Sequence, residues 1–283
     1  MPIELTTRVL LDGLAFPESP RWHDGKLWFS DMYARQVMSV GVDGKVVSEF
    51  GVAQQPSGLG WLPDGRMLVV SMHDRRLLRR DPHGLSVVAE LGDMAHFHCN
   101  DMVVDRLGRA YIGNFGFDYA AGEPVKATVL ILVTPDGQKR VVAEDLLFPN
   151  GSVITPDGGT LVVAESYGRR LTAFTITRDG SLVGRRVWAQ LEGASADGIC
   201  LDAAGAIWVA SPVSSEVLRV REGGAVTNRI PVATQGIACM LGGLDRRTLF
   251  ILSAPMVGAD EGRALKRGRI ETARVDIAGA GLP

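Results

Sequence analysis

The sequence predicts an all-β fold, a six-bladed β-propeller with four-stranded blades, and three observations carry that reading. Glycine supplies 34 of 283 residues, about 12% against a typical ~7%, without any low-complexity tract. So much glycine implies many tight turns between many short elements. Asp-Gly and related turn signals recur along the whole chain, each followed by a short β-branched or aromatic run of the kind that reads as a strand. A polar landmark precedes each such group at steps of 39, 43, 50, 47 and 38 residues, and a period of about 40–50 residues with four strands per unit is a propeller blade.

Taken in order, the first unit carries Glu18, the turn His23-Asp24-Gly25, the strand Leu27-Trp28-Phe29 and the closing turn Val42-Asp43-Gly44. The second has Ser57, Pro63-Asp64-Gly65, Met67 to Val70 and Pro82-His83-Gly84. Residues 66–81 lack Gly and Pro, so a helix competes there, but Met72 to Arg75 occupies the place of a turn in the other units. The third has Asn100, Arg106-Leu107-Gly108, Ala110-Tyr111-Ile112 and Pro135-Asp136-Gly137. The fourth has Asn150, Pro156-Asp157-Gly158, Thr160 to Val163 and Arg178-Asp179-Gly180; the fifth has Asp197, Ala203-Ala204-Gly205, Ile207-Trp208-Val209 and Glu222-Gly223-Gly224. Gln235-Gly236 opens a looser sixth unit. The strand at Arg8 to Leu11 and the one at Arg269 to Val275 are expected to share one blade, so that the ring closes without an open edge. The whole chain, 1–283, is read as one propeller domain.

Composition narrows the function. A net charge of -2 argues against nucleic acid or an anionic membrane held by bulk charge. The longest apolar run, Thr248 to Ala259, falls short of the roughly 18 residues a membrane span needs. The N-terminal stretch carries Glu4 and Asp12 in place of the basic start of a secretory signal. Three scattered cysteines suggest a reducing, cytoplasmic setting, and the protein is expected to be a monomer or weak homodimer. No Gly-x-Ser-x-Gly elbow and no Gly-x-Gly-x-x-Gly loop occurs, which disfavours a serine hydrolase or a dinucleotide enzyme.

The first strand of every propeller blade lines the axis, so residues in equal register at its start face one another. Here that ring reads Glu18, Ser57, Asn100, Asn150, Asp197 and Gln235, all bearing side-chain oxygens. Converging carboxylates and amides suit a hard divalent cation. The bland alternative is that Ser57-Gly58, Asn150-Gly151 and Asp197-Gly198 are ordinary turn dipeptides.

Phe16-Pro17-Glu18-Ser19-Pro20-Arg21-Trp22, Asn100-Asp101, Pro149-Asn150-Gly151 and Ala196-Asp197-Gly198-Ile199 with Asp202 resemble the senescence marker protein, gluconolactonase and regucalcin family of six-bladed propellers, along essentially the whole chain. Diisopropyl fluorophosphatase-type hydrolases are similar in fold. The resemblance implies one axial divalent cation held by Glu18, Asn150 and Asp197: Ca²⁺ first, with Mg, Mn, Zn or Fe as alternatives. It implies Asn100 as a substrate contact or fourth ligand, and Asp197 as general base, a role its place as ligand leaves open.

The chain departs from sugar-lactonase members in carrying His98 two positions before Asn100, where they carry Arg. Residues i and i+2 of a strand share a face, so His98 is expected beside Asn100 at the channel mouth as a substrate contact, with Phe115 and Phe117 nearby. That mouth favours a small, lightly hydroxylated lactone over a sugar lactone. The expected function is therefore a metal-dependent lactonase acting on a small-molecule lactone. A phosphotriesterase and a non-enzymatic, metal-stabilised binding platform are the alternatives. His96 and His98 as a zinc pair lack further Cys or His partners in register. Cys200 and Cys239 read as buried thiols, and Tyr119 to Lys126, the extra length of the third unit, as a lid over the mouth.

Overall fold

Six antiparallel sheets succeed one another around a central axis in the computed structural model, which describes residues 3–283. The innermost strands are Pro17–His23, Pro56–Trp61, Cys99–Val104, Pro149–Ile154, Ile199–Leu201 and Gln235–Gly242. Each touches the next, and the sixth returns to the first, so the ring is closed. This is the six-bladed propeller of the sequence reading. Every residue of Cys99–Val104 and Pro149–Ile154 is buried, whereas an outer strand such as Val46–Gly51 is largely exposed. Burial on both faces explains why inner strands lack polar alternation. The apolar cores lie between successive blades, as where Trp22 of the first stacks on Phe250 of the sixth with centroids 5.4 Å apart.

Closure follows the expected plan. Strand Arg8–Leu14 is the outermost strand of the sixth blade and pairs antiparallel with Gly268–Arg274, Arg8 opposite Thr272. Residues Ile3–Glu4 add a short parallel strand to Val226–Pro231 on the fifth blade, which the sequence did not signal. The C-terminal segment crosses the far ends of the inner strands. There Leu282 exchanges backbone bonds with Ile154, and the Ala280 N–H donates to the Leu201 carbonyl. Met72 to Arg75 is a turn between Met67–Ser71 and Arg76–Asp81, as read.

A short helix, Ala259–Leu265, precedes the last strand. Ala, Arg and Leu favour helix there, and Asp260 and Glu261 suit its positive N-terminal end. Among the described residues no helix is long and apolar enough to cross a membrane.

The glycines after the landmarks are not turn residues. A Cβ at Gly58 would lie 2.5 Å from the Met102 backbone nitrogen, and one at Gly151 would lie 2.6 Å from that of Ile199. Near the axis the inner strands approach too closely for a side chain, which sets aside the turn-dipeptide alternative. Gly151→Ala should therefore cost about 1–3 kcal/mol in overpacking and spread Asn150 from Asp197. A lowered Tm with reduced activity, although no polar group is removed, checks this. Wild-type Tm and activity would refute it.

Candidate active site on the propeller axis

Glu18, Ser57, Asn100 and Asn150 are each the second residue of an inner strand, and three of those strands start with proline, at Pro17, Pro56 and Pro149. A first strand position tolerates the missing N–H. The ladder breaks register at the same place in these four blades: between Glu18 and Arg21, Pro56 and Leu59, Cys99 and Met102, and Pro149 and Ser152. A bulge re-aims the local side chain, and here it turns four landmarks toward the axis. Asp197 lies just before its strand, its N–H donating to the Ala210 carbonyl.

Five of the six landmarks are buried: Glu18, Ser57, Asn100, Asn150 and Asp197. The Glu18 and Asp197 carboxyls are near neighbours, and the Asn150 amide borders Asp197. Burial first, then the charge of Asp101, pushes the Glu18 carboxyl up to about 8. Burial, then the facing Glu18, pushes Asp197 well above the usual carboxylate range. Asn150 Oδ1, Asp197 Oδ1 and Ser57 Oγ are buried with no hydrogen-bond partner, a costly state in a protein interior. Gln235 departs from the ring: it is half-buried and its Oε1 accepts from the Met256 N–H at 3.3 Å.

This donor set fits a hard divalent cation. Two buried carboxylates and an amide oxygen, with Asn150 Oδ1 and Asp197 Oδ1 lacking partners and Glu18 Oε2 accepting from Ser19, are what such an ion satisfies. Among the described residues no three His, Cys, Asp or Glu side chains gather, and an oxygen-rich set completed by Asn is unlike a zinc site. His96 stands apart, exposed, with Nδ1 3.3 Å from Thr128 Oγ1.

Side chains that support the site escaped the sequence reading. Asn150 Nδ2 donates to Ser166 Oγ at 3.2 Å, and Ser166 donates to the Ala196 carbonyl at 2.7 Å, which leaves Asn150 Oδ1 free for the axis. Asn100 Nδ2 donates to the Pro149 carbonyl at 3.2 Å. Asp31 accepts from the Ala15 and Phe16 N–H groups and so holds the segment leading to Glu18. Arg21 pairs with Asp101 at 2.6 Å and also donates to the Leu59 carbonyl, tying three blades together beneath the site. Asp202, quoted in the motif, belongs to a different buried pair, with Arg219 at 2.7 Å.

His98 is corrected in one respect. The strand begins at Cys99, so His98 lies in the loop before it and shares no strand face with Asn100. Its ring stacks on Phe97 at 4.0 Å and lies 4.4 Å from His73. Burial, then the neighbouring His73, holds its imidazole down at about 4, so it is neutral at pH 7. Cys99 packs in the core, and Cys200 and Cys239 are buried thiols with sulfurs 3.9 Å apart. Phe115 and Phe117 are 8% and 2% exposed and form a floor with Phe148.

Above that floor the turns between second and third strands occupy equivalent places: Met32 to Arg35, Met72 to Arg75 and Ser166 to Arg169. Their second residues are Tyr33, His73 and Tyr167. The repeat that located the axial ring contained this signal too, one turn further along each blade. In the third blade the 119–127 stretch, without helix or strand, replaces the turn and carries Tyr119.

The family model described as SMP-30/Gluconolactonase/LRE-like region matches residues 16–255. The chain is 26% identical over 253 residues to 6-deoxy-6-sulfogluconolactonase of Pseudomonas putida, covering 84% of this chain and 82% of that one. It is 24% identical to the pentonolactonase XacC of Haloferax volcanii, covering 98% and 96%. A crystal structure of a calcium-binding protein, regucalcin, from Agrobacterium tumefaciens superposes with a TM-score of 0.84 at 23% identity, covering 100% of this chain and 98% of that one.

Proposed function

Because the chain belongs to the SMP-30/gluconolactonase/LRE-like family, we propose that it is a divalent-metal-dependent lactonase, a hydrolase that opens the ring of a small-molecule lactone. The observation that carries the metal part is the pair of orphaned buried oxygens, Asn150 Oδ1 and Asp197 Oδ1, beside Glu18. Glu18, Asn150 and Asp197 would hold the cation, with Ca²⁺ preferred because every donor is a hard oxygen and because a similar fold is described as calcium-binding. Such an ion supplies Lewis-acid polarisation of the lactone carbonyl. Asp197, ionised beside the cation, would take the proton from the attacking water and return one to the leaving alkoxide. Asn100 and His98 orient the substrate, the first from the axis and the second from the rim.

The test is turnover by protein reconstituted with each of several divalent cations on aldonolactones, simple γ- and δ-lactones and one phosphotriester. A lactone opened only in the presence of metal supports the reading. Binding of metal with no turnover of any compound favours a binding platform, and the phosphotriester winning outright favours a phosphotriesterase.

The rim sets a further expectation. A neutral His98 offers one N–H donor, where an Arg would offer a charged fork to several hydroxyls. A polyhydroxylated lactone would leave hydroxyls unpaired, at about 1–3 kcal/mol each. kcat/KM for a lightly substituted γ- or δ-lactone should exceed that for gluconolactone, and His98→Arg should shift the ratio back toward the sugar. The wild type preferring gluconolactone tenfold would refute this. Since His98 titrates near 4, it should add no limb to the pH–rate profile between about pH 6 and 8.

A further inference from the structure

Eight of the thirteen Phe and Tyr residues in the chain gather at one end of the axis, although aromatic residues make up only 6% of it. Most are already packed. Phe115 and Phe148 stack at 4.3 Å with their planes 15° apart, and Phe117 meets Phe148 at 6.0 Å. Two rings stand upright on that floor. Tyr119 meets Phe115 at 5.6 Å and 66° and Phe148 at 6.0 Å and 74°. Tyr167 meets Phe117 at 5.2 Å and 80°. These two remain 40% and 46% exposed, a large apolar surface to leave open above a buried polar site.

Their placement ties them to the reacting centre. Tyr167 follows Ser166, the residue that anchors Asn150. Tyr119 and Tyr167 both lie against Phe148, at 6.0 and 5.4 Å; Phe148 stands two residues before Asn150, and its carbonyl accepts from the Ser166 N–H. A group attached to a molecule bound over Asp197 and Asn150 therefore meets the free faces of Tyr119 and Tyr167. Upright rings on an edge-to-face floor accept a flat ring by stacking or by its edge. A tyrosine restricts only two χ angles, so it supplies such a face at low entropic cost. An unbranched alkyl chain gains area burial alone, and a run of hydroxyls finds few partners there.

We propose that Tyr119 and Tyr167 are specificity-determining residues for lactones that carry an aromatic substituent, the substituent ring lying against their exposed faces while the lactone sits over Asp197. This rests on the lactonase reading and names its substrate class.

The experiment compares a γ-phenyl, a γ-hexyl and a γ-methyl butyrolactone with gluconolactone on the metal-loaded enzyme. It uses the wild type, Tyr119→Ala, Tyr167→Ala and the two Tyr→Phe variants. The wild type should show kcat/KM for the phenyl compound at least tenfold above that for the hexyl compound. Each alanine variant should lower the phenyl-to-methyl ratio about tenfold, mainly through KM, and each phenylalanine variant should restore it.

Calorimetric binding of the matching γ-phenyl and γ-hexyl lactams, which are not opened, supplies a readout independent of turnover. The phenyl lactam should bind tighter, by a margin that both alanine variants abolish. Lactone turnover that prefers the hexyl or sugar compound overturns the proposal while leaving the lactonase reading intact, as do alanine variants that depress all substrates equally. If no lactone is opened, the lactonase reading fails, and equal lactam binding by wild type and variants then overturns this proposal as well.

Discussion

Exhaustive removal of divalent cations is expected to abolish lactone turnover, lower Tm and make stability steeply dependent on pH. An ion bound only by the folded state stabilises it by mass action, about 2.7 kcal/mol at a hundredfold excess over Kd. For a chain of this size that is about 5 °C in Tm. The pH effect follows from Glu18 and Asp197, whose carboxyls are raised by burial and by nearby carboxylates. A carboxyl raised in the folded state favours folding below its unfolded pKa, near 4.5, and loses that contribution as pH climbs toward the folded value, about 8 for Glu18. The metal-free protein should thus lose stability steadily from about pH 5 to pH 8. The metal-loaded protein should not, because the cation favours the ionised pair. Metal binding at pH 7 should also release protons, measurable by titration calorimetry in buffers of different ionisation enthalpy. Full activity after chelation, with metal content confirmed as nil, would defeat the proposal, and so would identical pH–stability curves for the two forms.

Asp197→Asn is expected to lower kcat by roughly 10²–10⁴-fold while weakening metal binding much less. The amide keeps an oxygen donor but cannot accept the proton of the attacking water. The same change removes the negative charge facing Glu18, so the metal-free variant should be more stable than metal-free wild type near pH 8. Parallel loss of metal affinity and activity would reduce Asp197 to a ligand, and wild-type turnover would remove it from the mechanism.

Legibility in the sequence followed the range of the physics involved. The landmarks Glu18, Ser57, Asn100, Asn150 and Asp197 were readable because a blade is a local unit of about 43 residues, and register within a repeat survives folding. The closing strands at either end were readable because an unpaired edge is costly. Gln235 was placed in the ring by the same reasoning, yet its side chain turns to the Met256 backbone. Register states where a side chain starts along its strand; the sixth blade's loop decides where it goes. The alternative that the glycines at 58, 151 and 198 are turn formers stayed open, because a chain in one dimension does not show how near the next strand lies.

By itself, then, the sequence determined the number of blades, their four-stranded pattern, the closing pair of strands and the identity of the polar residues at the head of each inner strand. These are consequences of periodicity and turn chemistry, which act over a few residues. Only the tertiary structure decided which buried oxygens are left without partners, that Ser166 holds Asn150 while Arg21 ties neighbouring blades, that His98 sits off its strand, and that Tyr119 and Tyr167 pack on the phenylalanine cluster. Those facts depend on the bulges, on the spacing between neighbouring inner strands and on loops of unequal length. Each arises from packing between blades, residues tens of positions apart in the chain, and such contacts leave no mark in a local repeat.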